Sequence, residues 1–239
     1  MQEKIQKILS EYGICSRRAG EALVQSGRIT INGKTASLGD RADPDVDEIR
    51  VDGKMLPERP AKEYIVLNKP KGYVVTLNDE KGRKDVTQLL NELPVRVFPV
   101  GRLDMNSEGL LLLSNDGEFS NLLMHPSKEI EKEYHVWIKG GNISNAVNLL
   151  SRPMIIDGYR IKPAKIKLLD SSESTAMLSV IIHEGRNRQI RKMCEQSGYK
   201  VTRLKRIREG SLRLGSLPTG QWRYLSPREV QMLMKEARR

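Results

Sequence analysis

The chain has 239 residues and a mass of 27.1 kDa, which is longer than a typical single domain and predicts a small module joined to a larger one. Lys and Arg number 41 against 30 Asp and Glu, so the formal charge is +11 and the isoelectric point is near 9.7. No run of about 18 apolar residues occurs, and residues 1–10 alternate charged with apolar side chains, which argues against a membrane span or a secretory signal and predicts a cytoplasmic protein.

The basic excess is concentrated near the C-terminus. Residues 183–239 hold 15 basic and 5 acidic side chains, whereas residues 1–60 hold 10 of each and residues 61–182 hold 16 and 15. A merely solvated surface would spread this charge evenly, whereas a one-sided excess is typical of proteins that neutralise backbone phosphates. The charge pattern therefore favours a nucleic-acid partner.

Cysteine and histidine are few and scattered. Only Cys15 and Cys194 occur, and His125, His135 and His183 show no short metal-ligand spacing with them or with each other. We therefore expect neither a disulfide framework nor a metal site.

The first segment predicts two short helices. Ile5, Ile8 and Leu9 lie at helical spacing, and a second helical stretch starts at Ser16. The two helices are predicted to meet near Gly13.

Two tight turns and a linker follow. Short alternating strands run into Asn32-Gly33 and into Asp52-Gly53, and both positions of such dipeptides tolerate the positive φ of a tight hairpin. Segment 57–60 has prolines at both ends and no apolar period, which predicts a linker. We therefore predict one domain over residues 1–60 and a second over residues 61–239.

The second domain is predicted to be rich in strands, with helices interspersed. Apolar or alternating runs predict extended segments at residues 64–67, 73–75, 97–100, 109–113, 134–138, 166–169 and 177–182. A helix is predicted over residues 86–93, a polar loop over 101–108 and a turn at Asn115-Asp116-Gly117.

Two further helices are predicted near the C-terminus. Ile190, Met193 and Cys194 share one helical face that ends near Gly198, and the last helix begins with a capping box at residues 226–229. The whole pattern favours an α+β fold with a mixed or antiparallel sheet.

Several separate motifs resemble one known family. They are Asn-Lys-Pro-Lys-Gly at 68–72, Pro-Val-Gly-Arg-Leu-Asp at 99–104, Glu-Gly-Arg-Asn-Arg-Gln-Ile-Arg-Lys-Met at 184–193, and the runs 14–18 and 26–34 of an S-four-type RNA-binding module. Over essentially its whole length the chain thus resembles the RsuA/RluB group of ribosomal-RNA pseudouridine synthases. Residues 185–191 and 204–215 resemble the RluB branch, which modifies large-subunit RNA.

The resemblance implies an α+β protein, with a small αL RNA-binding module and a synthase domain built on a mixed, mainly antiparallel sheet. It implies an isomerase that converts one uridine of 23S ribosomal RNA to pseudouridine. The ribose bond moves from N1 to C5 of uracil with no net redox change, so no cofactor is expected. The implied partner is ribosomal RNA, as a structured stem-loop or a pre-ribosomal particle, and a monomer is expected.

The resemblance also assigns roles to particular residues. Asp104 is the expected catalytic carboxylate, Arg191 its paired arginine and Tyr134 the ring that stacks on the extruded base. The other expected substrate-binding residues are Arg102, Arg186 and Arg188, and the expected RNA-binding residues of the module are Arg17, Arg18, Arg28 and Lys34. Without the motifs, Asp104 would be read as a turn residue and Tyr134 as core packing.

Several alternatives remain open from the residues alone. Lys69 either contacts the RNA backbone or is purely structural, and Glu108 and Asp116 are the acids that a glycosidase would pair with Asp104, although the Asn-Asp-Gly turn explains Asp116 better. The competing functions are a small-subunit 16S ribosomal-RNA synthase, a non-catalytic ribosome-assembly factor and a nucleic-acid glycosylase.

Overall fold

The structure is a computed structural model that describes residues 1–77, 79–90 and 93–238. The α-helices are α1 Ile5–Glu11, α2 Arg17–Gln25, α3 Gly117–Met124, α4 Ala146–Leu150, α5 Gln189–Gln196 and α6 Pro227–Ala237. The strands are β1 Glu3–Lys4, β2 Ile29–Ile31, β3 Lys34–Thr35, β4 Arg41–Ala42, β5 Ile49–Val51, β6 Lys54–Met55, β7 Tyr64–Lys69, β8 Phe98–Val100, β9 Glu108–Ser114, β10 Lys132–Lys139, β11 Ile155–Ile156, β12 Tyr159–Arg160, β13 Lys165–Ser171, β14 Thr175–Ile182, β15 Lys200–Glu209, β16 Leu212–Arg213 and β17 Trp222–Tyr224. None of the helices described is long and apolar enough to cross a bilayer.

The chain divides into two compact units. The first unit comprises Met1–Glu63 together with the short segments Pro94–Arg96 and Asn115–Gly117. The second unit comprises the remaining segments Tyr64–Leu93, Val97–Ser114 and Glu118–Arg239.

The first unit is a helix pair followed by small hairpins, as predicted. The Ser16 side chain caps α2 by accepting a hydrogen bond from the Ala19 amide at 3.2 Å. Asn32 and Asp52 adopt positive φ values of 49° and 50° at the two predicted turns, which gives a four-stranded antiparallel sheet in the order β3-β2-β5-β6. Its core is a cluster of buried apolar side chains, namely Ile5, Ile8, Leu9, Val24, Ile29, Ala36, Ala42 and Ile49.

The second unit is built on a nine-stranded sheet. Seven strands follow the order β13-β14-β10-β15-β9-β7-β17, with β16 paired to β15 and β8 paired to β9. The β15–β9 pair is parallel and the other pairs are antiparallel. The predicted α+β fold with a mixed, mainly antiparallel sheet is confirmed.

Helices α3 and α6 cover part of this sheet. Phe119, Leu123 and Leu233 are almost fully buried and pack with sheet residues such as Val66 and Leu110. The predicted capping box at the start of α6 is present, because Ser226 and Glu229 exchange hydrogen bonds.

Three local predictions were wrong. The predicted helix 86–93 is a 3-10 helix that spans only Val86–Leu89, capped by the Asp85 side chain on the Thr87 amide, and residues 91 and 92 lie outside the described residues. Segment 73–75 is not a full strand, because only Val74 makes a ladder bridge, to Asp85.

The third is the turn at residues 115–117: α3 begins at Gly117, so only Asn115 and Asp116 connect β9 to α3. The Asn115 side chain forms hydrogen bonds to the backbone of residues 61 and 63. Its Oδ1 accepts from the Glu63 amide at 2.7 Å, and its Nδ2 donates to the Ala61 carbonyl at 2.8 Å.

Candidate active site

A cavity of about 550 Å³ opens in the second unit beside the loop that follows β8. Its wall combines apolar side chains, such as Leu103 and Leu204, with a strongly basic set of polar groups. The charged residues of the wall are Arg102, Asp104, Lys132, Arg186, Arg188, Arg206 and Glu209. Five cations against two anions give the cavity the charge that a nucleotide with its phosphates requires.

Asp104 lies in the polar loop between β8 and β9, as predicted. Its side chain is 32% exposed, so the carboxylate is accessible from the cavity. Backbone hydrogen bonds fix the loop, with the Ser107 amide donating to the Asp104 carbonyl at 2.9 Å and the Gly72 amide to the Met105 carbonyl at 2.8 Å. A rigid sheet therefore positions this carboxylate through backbone contacts that leave its side chain available.

Lys69 donates hydrogen bonds to the backbone of the same loop. The side chain is fully buried at the end of β7, and its Nζ donates to three carbonyls, those of Pro70 at 3.0 Å, Asp104 at 3.3 Å and Ser107 at 2.8 Å. Burial lowers the pKa of this ammonium to about 8, against the opposing attraction of Asp104 and Glu108. The suggestion that Lys69 touches the RNA backbone was wrong, because its charge is enclosed, and the structural alternative is confirmed.

Tyr134 projects from β10 into the cavity. Tyr134, Val136 and Ile138 are buried in alternation with less buried neighbours, which is the predicted strand pattern. Tyr134 is 7% exposed and lines the cavity. Burial, assisted by the charges of Glu209 and Asp104, raises the pKa of its hydroxyl, so the side chain is a neutral phenol at physiological pH.

A buried ionic cluster behind Tyr134 was missed by the sequence analysis. Arg206 is paired in register with Tyr134 across β10 and β15, and its Nε donates to the Leu110 carbonyl at 2.7 Å. Its Nη2 lies 3.3 Å from the Glu209 carboxylate, which also lies 3.9 Å from the Lys132 ammonium. Both side chains of the Arg206–Glu209 pair are only 3% exposed.

The cluster links the strand of Tyr134 to the strand that follows Asp104. Burial alone would lower the pKa of Arg206, but Glu209 and Tyr134 keep it raised, so the guanidinium stays charged. No local sequence signal marks this cluster, because strand register alone brings residues from 132–134 and 206–209 together.

Two of the three arginines in the 184–193 motif, Arg188 and Arg191, contact the Asp104 loop, and they do so differently from the expectation. Arg188, which precedes α5 with a positive φ of 54°, places its Nη1 3.8 Å from the Asp104 carboxylate. Arg191, which was expected to pair with Asp104, instead donates to the Asn106 carbonyl at 2.7 Å and lies 3.5 Å from the Ser107 hydroxyl. Arg191 lies in the first turn of α5, which brings it to the backbone beyond Asp104, and among the described residues the ion pair of Asp104 is with Arg188.

Arg191 is nevertheless electrostatically linked to the site. Burial, together with the nearby charge of Arg188, lowers its pKa, while the Asp104 carboxylate opposes this shift. Its Nε is buried and has no hydrogen-bond partner within the part of the chain that the structure describes.

The acids nearest to Asp104 in the sequence have other partners. Glu108 pairs with Arg203 at 2.6 Å, and Asp116, which is 4% exposed, pairs with Lys62 at 3.0 Å. The second carboxylate of the cavity, Glu209, is neutralised by Arg206 and Lys132. The hydrogen bond from Arg203 lowers the pKa of Glu108 and so keeps this acid ionised, whereas a glycosidase needs one carboxyl group that carries a proton.

The expected RNA-binding residues of the first unit are all exposed. Arg17 and Arg18 lie in the first turn of α2 and Lys34 begins β3, whereas Arg28 forms an ion pair with Asp52 at 2.5 Å. Three of the four cations thus have no ion pair recorded among the described residues.

Several basic residues of segment 183–239 form ion pairs within the protein, so fewer of them are available to a ligand than the sequence count indicates. Arg203 pairs with Glu108, Arg208 with Glu131 and Glu133, and Arg223 with Glu229. Together with the buried Arg206, these arginines form contacts within the protein. The interpretation of the whole excess as a phosphate-binding surface was therefore too broad.

Comparison with known proteins places this fold and site in one class. Residues 63–196 match the RNA pseudouridylate synthase family, and residues 3–47 match the S4 domain. The chain belongs to the RNA pseudouridylate synthase family, and it is therefore an isomerase that converts uridine to pseudouridine in RNA.

Individual relatives agree over nearly the full length. The chain is 42% identical to the ribosomal large subunit pseudouridine synthase B of Bacillus subtilis, over 97% of this chain and 95% of that protein. It is 36% identical to the dual-specificity RNA pseudouridine synthase RluF of Escherichia coli, over 97% of this chain and 78% of that protein. A pseudouridylate synthase of known crystal structure superimposes with a TM-score of 0.68 at 28% identity, over 96% of this chain and 99% of that one.

Proposed function

We propose that this protein isomerises one specific uridine of large-subunit, 23S ribosomal RNA, with Asp104 as the catalytic carboxylate. The observation that carries the proposal is the accessible Asp104 side chain on a backbone-fixed loop at the wall of a basic cavity that also contains Tyr134. The name of the Bacillus subtilis relative supports the large-subunit substrate. A ribosomal-RNA substrate would place the enzyme in the cytoplasm.

The reaction needs few groups from the protein. The bond from C1′ of the ribose to N1 of uracil breaks, a bond from C1′ to C5 forms, and the proton of C5 is replaced by one on N1. A carboxylate at Asp104 would either add to the substrate or remove a ribose proton, and both routes require an accessible ionised acid. The Tyr134 ring would stack on the uracil while it is detached, which keeps the base in the cavity.

The remaining cations of the cavity would hold the RNA backbone. Arg102, Arg186 and Arg188 are exposed at the cavity wall and carry donors that phosphates accept. Arg191 would act through the Asp104 loop, which it contacts at Asn106. The catalytic domain of this proposal spans residues 61–239.

The N-terminal domain, residues 1–60, would bind structured RNA through Arg17, Arg18, Arg28 and Lys34. Its match to the S4 domain supports this division of labour. A monomer is sufficient for the proposal, because all the named cavity residues come from one chain.

The proposal is tested by mapping pseudouridine in ribosomal RNA. Wild type, Asp104→Asn and the exposed control Glu173→Gln are incubated with 23S and 16S transcripts and with partly assembled subunits, and the products are mapped by carbodiimide labelling and primer extension. We expect one new stop in 23S RNA with wild type and Glu173→Gln and none with Asp104→Asn. Asp104→Asn should melt like wild type, because the recorded hydrogen bonds at this position involve its backbone carbonyl.

Other outcomes identify the competing functions. A stop in 16S RNA would assign the small subunit, and release of free uracil would indicate a glycosylase. Binding without any product from free or partly assembled RNA would contradict the proposal and favour an assembly factor.

A further inference from the structure

A short hairpin lies beside the start of α5 and presents an exposed aromatic ring. It consists of β11 and β12, and Asp157 and Gly158 form its turn with φ values of 50° and 77°. Tyr159 is 45% exposed, although the neighbouring Ile156 and Ile161 are almost fully buried. The hairpin is thus anchored by its apolar residues while the Tyr159 ring remains in solvent.

The ring is covered on one face by a guanidinium group. Cζ of Arg186 lies 3.2 Å from the centroid of the Tyr159 ring. A separation this short is reached only when the flat guanidinium lies over the ring face, which is the favourable geometry for an arginine and an aromatic ring. The two side chains therefore form one flat, positively charged surface.

This surface is held in place by contacts at both ends. Nε of Arg186 lies 3.3 Å from the Glu184 carboxylate, and the Arg186 amide donates to the Gln189 side chain at 3.1 Å. On the hairpin side, Asp157 forms an ion pair with Lys192 of α5. The stack is consequently pre-ordered, so ligand binding would lose little side-chain entropy.

The stack borders the cavity of the candidate active site. Arg186 itself lines the cavity, and Arg188, two residues further on, reaches the Asp104 carboxylate at 3.8 Å. The side chains of Arg186 and Arg188 are 42% and 48% exposed, and Arg160, the next residue after Tyr159 in β12, is exposed as well. A nucleotide adjacent to the one in the cavity would therefore meet a flat cationic surface.

We propose that Tyr159 and Arg186 form a stacking subsite for an unpaired nucleobase that neighbours the uridine in the cavity. This inference rests on the proposed function and adds a second contact to it. Single-stranded RNA is recognised by stacking of bases on aromatic rings and on arginine planes, with nearby cations for the phosphates. The exposed ring, the parallel guanidinium and the basic surroundings supply these three elements in one place.

The test uses 2-aminopurine, a base whose fluorescence changes on stacking. A ribosomal stem-loop that the full-length protein binds is synthesised with 2-aminopurine at each position flanking the target uridine in turn. Wild type, Tyr159→Phe, Tyr159→Ala and Arg186→Lys are compared with Tyr224→Ala, which removes a similarly exposed tyrosine, 44% exposed, from the edge strand β17. Thermal melting verifies that each variant is folded.

We expect a fluorescence change at one flanking position with wild type, Tyr159→Phe and Tyr224→Ala, and none with Tyr159→Ala. KM for the stem-loop should rise about 10-fold in Tyr159→Ala, within the range for loss of one stacked base, while kcat changes less than KM. Arg186→Lys keeps the charge but loses the planar group, so it should resemble Tyr159→Ala.

The outcomes separate this inference from the proposed function. If Tyr159→Ala matches wild type in fluorescence and KM, or if Arg186→Lys retains both, then no base stacks here and the inference is overturned. Because fluorescence reports binding alone, a position-specific change without product would retain the subsite and contradict the proposed function instead.

Discussion

At the scale of single residues, Lys69 controls the position of Asp104. Its buried ammonium is the hydrogen-bond donor to three carbonyls, two of which, those of Asp104 and Ser107, belong to the loop between β8 and β9. We expect Lys69→Met to lower the free energy of unfolding by about 3 kcal/mol, because the buried Ser107 carbonyl and the part-buried Pro70 and Asp104 carbonyls lose their donor, and a buried carbonyl without a donor costs about 1–3 kcal/mol. Urea denaturation measures the loss, with the exposed neighbour Lys71→Met as the control.

Comparison of the two lysine variants separates the effect of losing a buried hydrogen-bond donor from the effect of losing a positive charge. Lys71→Met should stay within about 0.5 kcal/mol of wild type, as surface substitutions do. Equal midpoints for the two variants would show that the Lys69 hydrogen bonds contribute nothing to the loop.

The lowered pKa of Lys69 predicts a particular pH dependence. Its folded pKa of about 8 lies below the ordinary value of 10.5, so between these pH values the unfolded chain binds the additional proton. The contribution of this group to the free energy of unfolding should therefore rise by up to about 3 kcal/mol as the pH rises from about 8 to 10.5. Below pH 8 the cost of burying the charged Lys69 ammonium should be fully present.

Comparison of wild type with Lys69→Met isolates this effect, because the other titrating groups contribute equally to the pH dependence of both proteins. The difference in the free energy of unfolding between wild type and the variant should widen across that range. A difference that is constant with pH would contradict the lowered pKa.

Residue roles could be predicted from sequence only where a motif carried them. The expected role of Asp104 came from the 99–104 motif and that of Tyr134 from the family resemblance, and the structure puts both at one cavity. The burial of Lys69 and of Arg206 could not be predicted, because Lys69 donates to the Asp104 carbonyl and Arg206 to the Leu110 carbonyl, which are distant in the sequence. The 184–193 motif does not indicate that Arg188 is the arginine that lies 3.8 Å from the Asp104 carboxylate.

At the scale of elements, β9 and β15 approach closely at Gly109. Gly109, with a φ of 103°, faces the backbone of Arg206, and a Cβ on Gly109 would overlap the Arg206 carbonyl oxygen and lie 2.8 Å from its amide nitrogen. We expect Gly109→Ala to destabilise the protein by about 3 kcal/mol or more, because neither backbone can move without breaking the parallel pairing. Thermal or urea unfolding measures the change.

Gly117 provides a matched control for this substitution. It lies at the start of α3 without positive φ, and a Cβ there would meet nothing within 4 Å. Gly117→Ala should be neutral or slightly stabilising, as alanine favours a helix by up to about 1 kcal/mol. Equal stability of both variants would contradict the close approach of the two strands.

Periodic elements were predictable, and irregular ones were not. The alternation at 134–138 and the capping box of α6 each encode a complete local structure. For the segments 73–75 and 86–93, more regular structure was predicted than forms, because apolar residues there pack against distant parts of the chain. Val86, for example, is fully buried, yet the 3-10 helix that contains it has only four residues. Tertiary contacts, which local propensity does not contain, set these boundaries.

At the scale of the whole molecule, RNA affinity should depend steeply on salt. Each phosphate neutralised contributes about 0.7–0.9 to the slope of log K against log salt concentration. The double variant Arg17→Ala/Arg18→Ala should therefore reduce that slope by up to about 1.4–1.8, as measured by filter binding over a salt series.

Arg223→Ala is the control for the salt series. Its guanidinium pairs with Glu229 at 2.7 Å and is already engaged within the protein. The slope for Arg223→Ala should equal that of wild type. An unchanged slope in the double variant would show that the exposed arginines of α2 do not contact phosphates.

The position of β15 in the sheet has a consequence for protein synthesis. β15 lies between β10 and β9, but it is formed by Lys200–Glu209, near the end of the chain. A nascent or truncated chain that ends before Lys200 has one edge of β9 and one edge of β10 without their shared partner. Unpaired edges of this kind pair readily with other chains, so incomplete copies of this protein should aggregate instead of accumulating as inactive but folded enzyme.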